Sequence, residues 1–140
     1  MPFPNSRVIP SGWSAHHQPV AVGTMTAECT IRDPKATVTG PFDPDTGTFP
    51  KTPAPPYYTG VCRAQQQRQP QEATTGGEEI TTHDYLVPIP ASVTGVKLGH
   101  VVKITAAVDA SLVGRVLQVT DIQRGSEIWE RDLICIDHLG

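Results

Sequence analysis

Apolar and polar positions alternate along residues 24–31, with Met25, Ala27, Cys29 and Ile31 on one face and Thr24, Thr26, Glu28 and Thr30 on the other. A period of two predicts a strand half-buried on a sheet face. Residues 57–64 (YYTGVCRA) are rich in aromatic and β-branched side chains and predict a second strand, paired with the first and with Gly60 as a bulge. Residues 84–90 (DYLVPIP) predict a third, whose two prolines point to a sheet edge or a strand end. Residues 100–107 (HVVKITAA) place Val102, Ile104 and Ala106 on one face, and residues 112–122 (LVGRVLQVTDI) follow with a glycine that permits bending.

The last expected strand, 127–137 (EIWERDLICID), is joined to its predecessor by the turn Gln123-Arg124-Gly125-Ser126. Leu133 and Cys135 oppose Ile134 and Ile136, so both of its faces should be covered. In so short a chain a neighbouring subunit is the expected outer cover, with Trp129, Ile134 and Ile136 as interface positions. Six short strands separated by turns predict an all-β fold, a small six-stranded β-barrel or sandwich whose closure hides aggregation-prone edges.

Around these strands lie three segments of different character. Residues 1–23 read as an extension holding one short helix at 11–18, capped by Ser11 and stopped by Pro19. Residues 33–56 (DPKATVTGPFDPDTGTFPKTPAPP) carry turn chemistry throughout and predict a loose hairpin excursion. Residues 65–82 (QQQRQPQEATTGGEEITT) contain a single large aliphatic residue, Ile80, and read as a long, flexible polar loop.

Composition narrows the function. At 140 residues with 38% hydrophobic content, the chain has room for one core, so residues 24–140 form a single domain. A formal charge of -3 argues against a broad nucleic-acid grip, which needs clustered Lys and Arg, and leaves room only for local or loose contact. The 14 prolines and 12 glycines, most of them before residue 100, exclude long helices there. No apolar run approaches the length of about 20 residues that spans a bilayer, and the N-terminus MPFPNSRVIPSGW lacks the basic start and apolar stretch of a secretory signal. Synthesis in a cytoplasm and no membrane partner are therefore expected.

The motifs that carry chemistry fail one by one. Cys29, Cys62 and Cys135 form no CxxC pair and read as small buried hydrophobes of a reducing compartment. Asp43-Pro-Asp45-Thr-Gly47 opens like a calcium loop, yet its twelfth position is Ala54 where a bidentate Glu is required, so an Asx-turn is expected. His16, His17, His83, His100 and His138 lack metal-binding spacing, and no nucleophile accompanies the His83-Asp84 or Asp137-His138 steps. Thr75-Gly76-Gly77 lacks the ending of a phosphate loop. Trp13 and Trp129 are too isolated from basic residues to be a base-stacking platform and suit core or interface anchoring. No enzyme activity, cofactor or metal is expected.

The order of segments resembles the head-closure proteins, also called stoppers or head-tail connector proteins, of long-tailed bacteriophages. The similarity runs over residues 24–138, through CTIRDP, YYTGVCRAQ, DYLVPIP, KLGHVVKITAA and GRVLQVTDIQRGSEIWERDLICID. The proline-rich excursion and the N-terminal extension depart from it. The resemblance implies a six-stranded barrel assembled into a hexameric ring, located in the virion neck between a portal adaptor above and a tail terminator or tail tube below. It further implies that a long loop reaches the channel axis and helps retain packaged double-stranded DNA. The matching loop is 65–82, with Gln65, Gln66, Gln67, Arg68, Gln69, Gln71, Thr74, Thr75, Gly76 and Gly77 as gating positions. Arg63 and Arg68 would meet phosphate, while Glu72, Glu78 and Glu79 would limit sticking. The competing expectations are a tail terminator or other minor virion protein, and a small-barrel nucleic-acid-binding module.

Overall fold

The computed structural model describes residues 8–67, 71–75 and 78–137, with side chains described outside 71–82. Arg68, Gln69, Gly76 and Gly77, named above as gating positions, lie outside the described residues, as does His138. One helix, α1 (Trp13–Gly23), precedes ten strands: β1 (Ala27–Arg32), β2 (Thr37–Thr39), β3 (Lys51–Pro53), β4 (Tyr58–Cys62), β5 (Gln65–Gln66), β6 (Gln71–Thr75), β7 (Glu78–Pro90), β8 (Val101–Ala106), β9 (Val116–Ile122) and β10 (Glu130–Asp137). The fold is all-β in class, as expected.

The main sheet runs β4-β1-β8-β9-β10-β7-β5, with antiparallel pairing along the path. Its two ends, β4 and β5, are separated in the chain by Arg63 and Ala64 alone. The sheet therefore curls until its ends meet. Across the junction the Arg63 amide donates to the Pro88 carbonyl at 3.0 Å and the Gln67 amide to the Asp84 carbonyl at 2.8 Å. Counting β4 and β5 as one kinked stave, the wall has the six expected staves.

Alternation fills the interior. Cys29 and Ile31 of β1, Cys62 of β4, Val87 and Ile89 of β7, Val102 and Ile104 of β8, Leu117 of β9, and Leu133 and Cys135 of β10 are all fully buried. Each large aliphatic among them stabilises the fold by about 1.5–3 kcal/mol relative to exposure. The expected hairpin within 33–56 forms as β2 paired with β3 in a separate small sheet. Inside it the Asp45 amide donates to Asp43 Oδ1 at 2.9 Å and Gly47 takes φ 68, which is the expected Asx-turn.

Several expectations need correction. The helix does not stop at Pro19 but runs to Gly23, and its N-cap is Gly12 with φ 82, not Ser11. Pro19 removes one internal hydrogen bond, a loss the exposed turn tolerates. The strand that contains DYLVPIP is no edge: β7 pairs with β10 along Glu130↔Pro90 to Asp137↔His83. Its prolines survive there because Pro88 faces the β4–β5 side, where its carbonyl accepts from Arg63, and Pro90, two residues on, faces the same way. Gly60 is not a bulge, since the β1–β4 register is continuous through Cys29↔Gly60; the register shifts lie instead at Glu28/Cys29 and Ile134/Cys135. The 112–122 strand begins only at Val116, after a 3₁₀ turn over Ala110–Leu112 and Gly114 at φ 87.

The polar loop 65–82 is also corrected. β6 pairs with the first five residues of β7, from Gln71↔Thr82 to Thr75↔Glu78, so the segment is a β ribbon. Side-chain burial was too poor to predict order, but backbone ladder bonds do not need it. The threonines at 74, 75, 81 and 82 and Ile80 favour extended backbone.

Candidate functional site

The ribbon grows out of the wall. β7 has 13 residues while β10, its neighbour, has eight, and the pairing with β10 ends at His83. Among the described residues, Glu78 to Thr82 therefore pair with β6 alone. At about 3.3 Å per residue this two-stranded segment, the arm, is about 15 Å long. Its described strands carry Glu72, Glu78 and Glu79 and no Lys or Arg. Of the expected gating positions, Gln71, Thr74 and Thr75 lie on β6, while Gln65 and Gln66 sit at the arm's root, paired with Leu86 and Tyr85. Gln66 Nε2 lies 3.1 Å from His83 Nδ1, and Gln67 is exposed beside them.

At the foot of the arm Arg63 is not a free phosphate contact. Its Nη2 donates to Glu130 Oε1 at 3.0 Å and its Nη1 to Thr24 Oγ1 at 2.7 Å, so it ties the barrel seam to the end of α1 and the start of β10. Asp132, two residues along the same strand face, has a buried Oδ1 with no hydrogen-bond partner. Burial, the adjacent Glu130 charge and a proton shared with Glu130 push the Asp132 carboxyl up to about 6, against the pull of Arg63.

Above this polar knot lies an aromatic clamp joining residues more than a hundred positions apart. The Trp13 ring lies 4.7 Å from that of Trp129 and 4.5 Å from that of His17, and His17 lies 5.5 Å from Trp129. Ser14 Oγ donates to Glu127 beside it. Together they strap α1 to the barrel and roof a hollow of about 250 Å³ lined by His17, Val20, Ala21, Thr24, Arg63, Trp129 and Glu130. Trp129, expected at a subunit interface, thus has an intramolecular partner while staying 40% exposed; Ile134 and Ile136 are half-buried on the outer face of β10. Sequence reading singled out both tryptophans as anchors but had no signal that they anchor each other.

A second hollow of about 400 Å³ lies beside Arg115, whose Nη1 donates to the buried Asp137 carboxylate at 2.6 Å. That bond holds the guanidinium above its ordinary range. The three cysteines meet inside the barrel. Cys29 is raised by its thiol hydrogen bond with Cys62 and by burial, Cys62 is lowered by that same bond against the effect of its burial, and burial pushes Cys135 up to about 12, so Cys29 and Cys135 stay protonated. Among the described residues no group of three or more His, Cys, Asp or Glu is placed to hold a metal ion, and no helix is long and apolar enough to cross a membrane.

Fold and site together define a small all-β, barrel-like domain that carries a projecting β arm and a helix strapped to its outer wall. The chain belongs to the DUF6093 family of unknown function, which matches it over residues 17–136. No curated protein matches it. It is similar to the solution structure of protein SF1141 from Shigella flexneri 2a, with 14% identity and a TM-score of 0.49 over 84% of this chain and 96% of that one.

Proposed function

We propose that the chain is a head-closure subunit of a long-tailed phage neck, forming a hexameric ring between the portal adaptor and the tail and helping to retain packaged DNA. The observation that carries this reading is the arm: among the described residues, five residues of β7 run beyond the pairing with β10 and pair with β6 alone. A ribbon whose sequence is polar and acidic offers little apolar surface to a core, so its use lies elsewhere. In a ring it would reach the lumen, where Glu72, Glu78 and Glu79 repel phosphate and the backbone ribbon blocks passage sterically. A gate that must hold and later release DNA works by obstruction with weak adhesion. The filled core supports the same reading, because a barrel packed with Ile, Leu, Val and Cys side chains has no interior site for a small ligand.

The test is deletion of residues 67–80 in phage carrying this gene. The barrel is expected to stay folded, since its core lies outside the deletion, and the particles are expected to lose their DNA. Full DNA retention by the deletion particles removes the gating role, and absence of the chain from the purified particle neck by electron microscopy removes the neck assignment.

A further inference from the structure

Of the two cations expected to meet phosphate, Arg68 lies outside the described residues and Arg63 is held by Glu130 and Thr24. A different set stands free. Arg32 and Lys103 project from the outer face of β1 and β8: the register Arg32↔Val101 and Thr30↔Lys103 makes them diagonal neighbours. The same register brings the turn after β1 alongside the turn before β8, and these turns form a cleft of about 200 Å³ lined by Asp33, Lys35, Lys97 and His100. Arg32, Lys35, Lys97 and Lys103 are all exposed, and none has an ion-pair partner among the described residues.

The cleft is held in shape by its own backbone. The His100 amide donates to the Lys97 carbonyl at 3.2 Å, and Gly99 takes φ 85, which closes a tight turn that glycine alone accommodates without strain. His100 is 4% exposed, stacks on Tyr57 at 5.0 Å and accepts the Lys97 amide through Nδ1 at 3.2 Å. With Nδ1 accepting, the ring's N–H is on Nε2, and the imidazole is one wall of the cleft. The nearby carboxylates are Asp33, whose Oδ1 takes the Lys35 amide, and Glu28, further along the face of β1.

From this arrangement we infer that the Lys35–Lys97 cleft, flanked by Arg32 and Lys103, is a phosphate-contact surface whose partner is the backbone of double-stranded DNA. Four exposed cations on and around one cleft, without ion-pair partners among the described residues, suit a phosphodiester backbone, which asks for several positive charges along a strip. A chain of net charge -3 then binds the polyanion along one strip only and leaves the acidic arm free to repel it. The inference stands on the strip itself and does not require the neck assignment.

The full-length protein is titrated with a short duplex over a salt series, and separately with inorganic phosphate while the His100 ring resonances are followed by NMR. The logarithm of DNA affinity is expected to fall with log salt with a slope of about -3.6, four phosphate contacts at about -0.9 each. The double variant Lys35→Gln/Lys97→Gln should weaken binding roughly tenfold or more and flatten the slope by about 2, while Lys51→Gln/Arg124→Gln, exposed cations elsewhere, should change neither. Phosphate alone should shift His100 in the wild type and not in the Lys35→Gln/Lys97→Gln variant. Equal DNA affinity and slope in the two double variants overturns the inference. So does a Lys35→Gln/Lys97→Gln protein that binds DNA normally but no longer self-assembles, since the strip would then be a subunit seam. Because these readouts use free protein, they can fail while DNA retention in particles still depends on the arm, and the reverse.

Discussion

A Cβ built on Gly60 would fall 2.7 Å from the Tyr58 hydroxyl oxygen, and that hydroxyl donates to the Val61 carbonyl at 2.6 Å. The glycine therefore serves its neighbour's ring: Tyr58 folds back over it and packs against the core. Gly60→Ala is expected to expel the ring, break that bond and lower stability by about 1–2 kcal/mol in denaturant titration. Burial, aided by Cys29 and Cys62, pushes the Tyr58 phenol up to about 12, and in Gly60→Ala its ultraviolet titration should move back toward the ordinary tyrosine range. Asp132 gives the opposite kind of prediction. Its carboxyl titrates near 3.9 in the unfolded chain and at about 6 in the folded one. Between those values the folded state binds more protons, so stability falls as pH rises from about 4 to about 6. Asp132→Asn should remove that slope and raise stability at pH 7 by about 1 kcal/mol, the Coulombic part being screened by solvent at a half-buried site. Unfolding curves at pH 4.5 and pH 7 check it, and an unchanged difference between the two would show that Asp132 is ionised throughout.

Helix α1 illustrates how an element can exist without local support. It has 11 residues, an interior proline, no capping side chain, no acidic residue in its first turn and no buried residue. A helix that short is marginal alone in water. Its stability comes from the Trp13–His17–Trp129 clamp and from the Arg63 hydrogen bond to Thr24. Trp129→Ala should therefore cost about 1–2 kcal/mol and, more tellingly, speed amide hydrogen exchange across α1 while leaving β8 and β9 protected. Equal protection in α1 would show that the clamp is dispensable. β7 shows the reverse case, an element whose sequence seemed compromised by Pro88 and Pro90 yet which forms the longest strand of the barrel. Strand prolines are harmful only where an amide is needed, and both face the kinked β4–β5 stave.

At the scale of the whole molecule, closure is accomplished by one kink. Because β4 pairs with β1 and β5 with β7, the two residues Arg63 and Ala64 turn an open sheet into a barrel-like wall, and the same kink places Arg63 where three elements converge. The charge distribution follows the same geometry. Among the described residues, Arg32, Lys35, Lys97 and Lys103 collect at the β1–β8 end, with Lys51 and Arg124 apart from them, whereas the arm's described strands are neutral or acidic. A chain so divided presents different chemistry in different places, which is why the DNA-retention and salt-slope experiments above read out separate parts of it.

The alternation of Met25, Ala27, Cys29 and Ile31, and of Val102 and Ile104, was legible in the sequence because a strand's period of two needs no distant information, and it determined the all-β class and most of the buried set. The Asx-turn at Asp43 was legible for the same reason: its hydrogen bonds span two residues. What only the tertiary structure decided involves partners far apart in the chain. Trp13 meets Trp129, Arg63 meets Glu130, and Lys35 comes to share a cleft with Lys97 because β1 and β8 pair in one particular register. The arm was missed because its order comes from backbone hydrogen bonds, and side-chain composition carries no record of those.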